Sequence, residues 1–142
     1  TPVIYGNDET FEIGGLKVLR QSDADVATVI GAGVTLFEAL KAYDELKAAG
    51  IAIRVIDLNS LAPIAKDALI AAGNATKQQI ITVEDHYAAG GIGDAVSEAV
   101  SAAGIRVHRI AVGEIPRSGK PDELLERFGI SASHIVSAVK AL

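Results

Sequence analysis

Apolar residues along most of this chain follow two alternating patterns. Dense β-branched runs at 26–30, 51–56, 80–83 and 105–112 have the character of strands buried on both faces of a sheet. Between them the apolar positions recur every three or four residues. Leu36, Leu40, Tyr43 and Leu46 form one such set, and Ile92, Ala95, Val96, Ala99, Val100 and Ala103 another, each tracing one stripe of a helix. A shorter helix is expected from Pro63, which suits a first turn, through Ala72, with Gly73-Asn74 ending it. Gly50 is placed to stop the first helix in a left-handed conformation, and Thr35 followed by Glu38 has the form of a capping box at its start.

The two ends of the chain read differently. Over 1–20, short apolar pieces such as Phe11-Glu12-Ile13 and 16–19 alternate with turn pairs such as Asn7-Asp8 and Gly14-Gly15, which predicts edge strands or hairpins. Ser22-Asp23-Ala24-Asp25 breaks them off. After 112 comes Gly113-Glu114-Ile115-Pro116-Arg117-Ser118-Gly119-Lys120-Pro121, a basic loop too rich in Pro and Gly for regular structure. A helix is expected from Pro121 to Gly129 and a last one from Ser133 to Leu142. The chain is thus expected to be one domain over 1–142: edge strands in 1–20, a βα core in 25–112, and the basic loop with C-terminal helices in 113–142. Strand-helix alternation predicts a three-layer α/β/α sandwich around a mostly parallel sheet, because parallel neighbours need a crossover helix.

Composition narrows the class. A chain of 142 residues supports its own core, burying about two thirds of its unfolded surface. With 49% hydrophobic but only 4% aromatic residues, that core is built from Ile, Val, Leu and Ala. A net charge of -5 argues against a nucleic-acid backbone or an anionic membrane as main partner, since both are bound through dense Lys and Arg. The absence of cysteine excludes disulfides, thiolate metal sites and a cysteine nucleophile. Without a long apolar run or a signal-peptide pattern, a soluble, cytoplasmic protein is expected. Methionine is absent too, even at position 1, which suggests a piece cut from something longer.

Candidate chemistry gathers at Thr82-Val83-Glu84-Asp85-His86-Tyr87-Ala88-Ala89-Gly90-Gly91-Ile92-Gly93, where a buried strand runs out into polar groups and glycines before a helix. In open α/β sheets, ligands bind outside the carboxyl ends of the strands, where helix N-termini offer free N–H groups. Glu84, Asp85 and His86 are of the types used in acid-base catalysis, though adjacent residues in extended chain point to alternating sides. Caps, loop hydrogen bonds or a subunit contact explain them better than catalysis does. Gly90-Gly91-Ile92-Gly93 could cradle a phosphate, but no lysine follows as in a nucleotide P-loop, and a tight corner is the better reading. Gly31 and Gly33, with Asp57 closing the next strand, approach a dinucleotide fingerprint, but Leu36 stands where a glycine or alanine is wanted. Arg117, Ser118 and Lys120 could hold a phosphate or carboxylate, or form an interface arm. His108 and His134 read as structural or solvent-facing.

Taken together, three blocks resemble the C-terminal domain of transketolases of the shorter, animal-like branch, over nearly the whole chain. They are Val29-Ile30-Gly31-Ala32-Gly33-Val34-Thr35-Leu36 with Glu38-Ala39-Leu40, the Thr82 to Gly93 corner, and Pro116-Arg117-Ser118-Gly119-Lys120-Pro121 with Glu123-Leu124-Leu125 and Phe128-Gly129-Ile130. The resemblance implies a five-stranded mixed sheet with one antiparallel edge strand, and a crevice between the ends of the strands that begin near Val26 and Ile80. It implies an enzyme that moves a two-carbon ketol unit from a ketose phosphate to an aldose phosphate, with thiamine diphosphate and a divalent metal, Mg or Ca, held by preceding domains of a homodimer. The family motifs for cofactor, metal and sugar are absent here, so no catalytic, cofactor-binding or metal residue is assigned. This chain alone is expected to be inactive and to support architecture and dimerisation. Its candidate crevice or interface residues are Gly31, Gly33, Glu84, Asp85, His86, Gly90 and Gly91, and its candidate anion, regulatory or interface loop is Arg117, Ser118 and Lys120. The alternatives are a stand-alone small-molecule or nucleotide-binding module, a subunit of a split enzyme, or the same domain from a 2-oxoacid dehydrogenase β subunit or deoxyxylulose-phosphate synthase.

Overall fold

A computed structural model describes residues 11–13, 16–58, 64–84, 91–111 and 132–142. Its strands are β1 (Phe11–Ile13), β2 (Leu16–Arg20), β3 (Thr28–Gly31), β4 (Arg54–Asp57), β5 (Gln79–Glu84) and β6 (Arg106–Ala111). Its helices are α1 (Val34–Ala48), α2 (Lys66–Ala75), α3 (Ile92–Val100), which runs on into a 3₁₀ turn at Ser101–Ala103, and α4 (Ala132–Lys140). The strands form one sheet in the order β1-β2-β4-β3-β5-β6. Four of them, β4, β3, β5 and β6, are parallel, and β2 pairs antiparallel with β4. This is the expected mixed five-stranded sheet. The three-residue β1 extends it, pairing antiparallel with β2 on its outer side.

Each central strand is buried on both faces, and alternation sends its residues to two cores. Val29, Val55, Ile81 and Val83 face α1 and α4, whereas Ile30, Ile56 and Ile80 face α2 and α3. The sandwich therefore has three layers, and the near-continuous apolar runs follow from a sheet covered on both sides. Ile30, Ile56, Ile80 and Ile81 are fully shielded from solvent. Truncating any of them to alanine removes about 2–5 kcal/mol, combining lost transfer energy with an incompletely collapsed cavity.

Two local expectations are overturned. Gly73-Asn74 does not end α2, which continues to Ala75. Gly73 is instead a packing glycine: a Cβ there would lie 2.6 Å from Ile105 Cδ1, so its bare backbone admits the side chain that enters β6. The turn is made by Lys77 and Gln78, both in the left-handed region at φ 59° and 58°. Thr35 and Glu38 do not form a capping box either. The N-cap of α1 is Gly33, which makes no side-chain cap. Thr35 lies inside the first turn, where its hydroxyl accepts from Ala32 N at 3.0 Å and donates to Ala32 O at 2.9 Å. Glu38 turns away to a different helix: its Oε1 accepts the Ala132 amide, the first of α4, at 3.1 Å. Gly50, at φ 80°, does terminate α1 as expected.

Candidate functional site

The order β4-β3-β5 places a topological switch point at the carboxyl ends of β3 and β5. The chain leaves β3 through α1 on one face of the sheet and leaves β5 towards α3 on the other. Connections that depart in opposite directions leave a crevice between them, the usual ligand position in such sheets.

On the β3 side, Gly31 is buried beneath the first turn of α1. A Cβ there would sit 3.0 Å from Leu36 N and 3.1 Å from Thr35 C, backbone atoms that cannot yield. Glycine at this position lets the helix start directly over the strand end. Gly33 adopts φ 60° and ψ -129°, a conformation that side chains resist, and its carbonyl accepts from Leu36 N at 3.1 Å. Val34 beside it is 40% exposed, an apolar side chain open to solvent at the start of α1. Asp57 ends β4 opposite Gly31 in register. It is almost fully buried, and burial raises its carboxyl pKa above the ordinary 3.8.

On the β5 side, Glu84 is the last strand residue and is 4% exposed. Its Oε2 accepts the Gly93 amide at 2.7 Å, so a carboxylate holds one of the free N–H groups at the start of α3. Gly91, at φ 94°, makes the left-handed corner just before that helix. Arg109 approaches from β6. A methyl group on Gly93 would collide with both Arg109 Nε and Glu84 Oε2, so the two side chains flank this glycine. The outer edge of the guanidinium meets Asp94 of α3, with Nη2 to Oδ1 at 2.7 Å. Glu84, Gly93, Asp94 and Arg109 thus clasp β5, β6 and α3 together. Thr82, two residues before Glu84 on the same face of β5, keeps a fully buried hydroxyl with no hydrogen-bond partner among the described residues.

Among the expected site residues, Gly31 and Glu84 end β3 and β5, and Gly33 and Gly91 immediately precede α1 and α3. Asp85, His86, Gly90, Arg117, Ser118 and Lys120 fall outside the described residues. The structure adds Asp94 and Arg109, which the sequence motifs do not mark as site residues, and packs Gly93, the last glycine of the candidate run, between Glu84 and Arg109. Alternation along β6 is the signal that could have found one of them, because Arg109 pairs with Thr82 in register and so shares the face of Thr82 and Glu84. His108 lies away from the crevice, its Nε2 2.7 Å from Gln79 Oε1. Burial first, then the Arg106 charge, lowers its pKa below 6.5. Chemically the corner is a joint with a guanidinium at its rim: its buried carboxylate already accepts a backbone amide. Among the described residues no group of three or more His, Cys, Asp or Glu converges to hold a metal.

Known proteins match this chain end to end. The model of the transketolase C-terminal domain family matches residues 16–135. A transketolase-like protein 2 of Mus musculus is 58% identical over 99% of this chain, which covers 22% of that protein. A transketolase of Mus musculus is 52% identical over 99% of this chain, which covers 23% of it. Among solved structures, a split-gene transketolase described as an inactive β4 tetramer superposes with a TM-score of 0.82 at 35% identity, over 99% of this chain and 46% of that one. The chain therefore spans less than a quarter of the length of these two curated relatives.

Proposed function

Because the chain belongs to the transketolase C-terminal domain family, we propose that it is the architectural C-terminal domain of a thiamine-diphosphate-dependent transketolase. The reaction of the complete enzyme is transfer of a two-carbon ketol unit from a ketose phosphate to an aldose phosphate, carried out at a centre built by other domains. The observation that carries this reading is 52% identity to a transketolase over 99% of the chain, combined with coverage of only 23% of that relative. The role of this part is to complete the fold and to stabilise the dimer.

The described residues do not fit the cofactor or its metal. Glu84 is occupied by the Gly93 amide, Asp57 is buried within the domain, and no cluster of ligand-type side chains is present among them. No step of ketol transfer is therefore assigned to these residues. The similar split-gene transketolase, a longer chain of which this one covers 46%, is described as an inactive β4 tetramer, which fits the same division. Arg117, Ser118 and Lys120 are proposed to face the rest of the enzyme or a phosphorylated substrate, since a basic loop on a protein of net charge -5 suits an anionic or acidic neighbour.

The test is transketolase activity with thiamine diphosphate and magnesium, measured on this chain alone and on a protein in which the preceding domains are joined to it. Activity is expected only in the joined protein. Turnover by the chain alone would overturn the reading.

A further inference from the structure

A hollow of about 360 Å³ opens at the end of the sheet opposite the crevice, where the chain enters β3 and β4. Its size falls within the range of small-molecule sites, about 300–1,000 Å³. Tyr43 and Lys47 line it from the last turns of α1, Ile51 and Ala52 from the approach to β4, and Gln21 and Asp25 from the approach to β3. The chemistry of this hollow is independent of family membership.

The charge balance of the hollow is set by which groups are already satisfied. The Asp25 side chain is completely buried. Its Oδ2 accepts from Ser22 N at 2.8 Å and from Arg54 Nε at 3.1 Å, and its Oδ1 accepts from Ser22 Oγ at 2.6 Å. That carboxylate is neutralised inside the protein and offers nothing to the hollow. Lys47 differs. Its ammonium lies 5.7 Å from the centre of the Tyr43 ring, while Arg20, which does not line the hollow, places Cζ 5.4 Å from the same centre. A protein of net charge -5 thus gathers two cations around one aromatic wall. Lys47 is exposed and its side chain long, so the ammonium can swing from the ring to an incoming anion.

We infer that this hollow binds a small planar organic anion, by class an aromatic carboxylate. The ligand ring packs between the Tyr43 face and the apolar floor of Ile51 and Ala52, in the offset geometry that aromatic pairs prefer. Its carboxylate takes a charge-assisted hydrogen bond from Lys47, and the Gln21 amide provides a neutral donor at the rim. Specificity comes from needing both parts at once: a charged group without a ring leaves the Tyr43 wall bare, and a ring without charge leaves Lys47 uncompensated.

Benzoate is the probe, with acetate and benzamide as the partial ligands, titrated into the isotope-labelled chain and followed by amide resonances. Saturable shifts confined to the segments around Gln21, Lys47 and Ile51 are expected with benzoate at millimolar concentration, with acetate and benzamide several-fold weaker. Lys47→Glu is expected to raise the benzoate Kd about tenfold or more, by reversing the charge that makes the assisted bond. Lys47 is exposed, so this variant is expected to fold, which its spectral dispersion checks. Tyr43→Leu, which keeps an apolar side chain, is expected to weaken benzoate and leave acetate unchanged. Shifts that stay linear and scattered, equal responses to acetate and benzoate, or indifference to Lys47→Glu would each sink the proposal.

Discussion

Two side chains at the carboxyl end of the sheet illustrate how the structure constrains a single position. Gly93 carries no Cβ because Arg109 and Glu84 already fill that space. Gly93→Ala is expected to destabilise the protein by about 1–2 kcal/mol, since overpacking outweighs the gain in helix propensity. Arg109→Ala alone should cost well under about 1 kcal/mol, because its ion pair with Asp94 is exposed. In the double variant the part of the Gly93→Ala penalty due to Arg109 is expected to disappear while the contact with Glu84 Oε2 remains, and denaturant unfolding of the four proteins gives the coupling energy directly. Asp57 makes a second prediction. Its folded pKa is raised by burial above 3.8, so the native state holds its proton more tightly than the unfolded chain does. The stability it contributes is present at low pH and is lost as pH rises from about 3.8 through the folded value. Wild type is therefore expected to lose ground to Asp57→Asn over that window, and equal pH slopes for the two proteins would contradict the assignment. Neither effect was legible in the sequence. Gly93 reads as one more glycine of a flexible corner, and Asp57 as the end of a strand, because side-chain packing across strands has no linear signature.

Among the elements, α4 depends on α1 through a contact 94 residues apart in sequence. Glu38 is buried, accepts the Ala132 amide at 3.1 Å and is paired with Lys41 Nζ at 3.0 Å. A carboxylate at a helix N-terminus satisfies an orphan N–H and complements the dipole. Glu38→Ala is expected to cost about 1–2 kcal/mol, as loss of a capping acceptor does, and to speed hydrogen exchange in α4 before the rest of the molecule. Glu38→Gln keeps an oxygen acceptor and should cost clearly less. The strands and helices themselves were legible because period-2 and period-3.6 patterns follow from which faces are buried. Their boundaries were less so. α2 runs past Gly73-Asn74 because packing against Ile105 favours a helical glycine there, whereas the sequence pair resembles a stop. Thr35 and Glu38 have capping-box spacing, yet tertiary structure gives Glu38 to another helix.

At the scale of the molecule, a mixed sheet sandwiched by helices has the carboxyl ends of β3 and β5 at one end and the hollow lined by Tyr43 and Lys47 at the other. The proposed assembly role belongs to this scale. In the complete enzyme, combined Arg117→Ala and Lys120→Ala is expected to lower kcat/KM or dimer stability. The melting temperature of the present chain should hardly change, since charge removal on a loop typically stays within about 0.5 kcal/mol. Unchanged kinetics and unchanged dissociation of the dimer would dispose of that assignment. By itself the sequence determined the fold class and the parallel core, because burial periodicity is a property of the linear order, and its long motif blocks carried the resemblance to the family that implied the antiparallel edge. Tertiary structure alone decided that Glu84 and Arg109 flank Gly93, that Glu38 holds the first amide of α4, and that Asp25 is paired with Arg54 beside the hollow. Those outcomes depend on which residues distant in sequence meet at short range, where a few ångströms determine whether a charge is satisfied internally or left to act on something else.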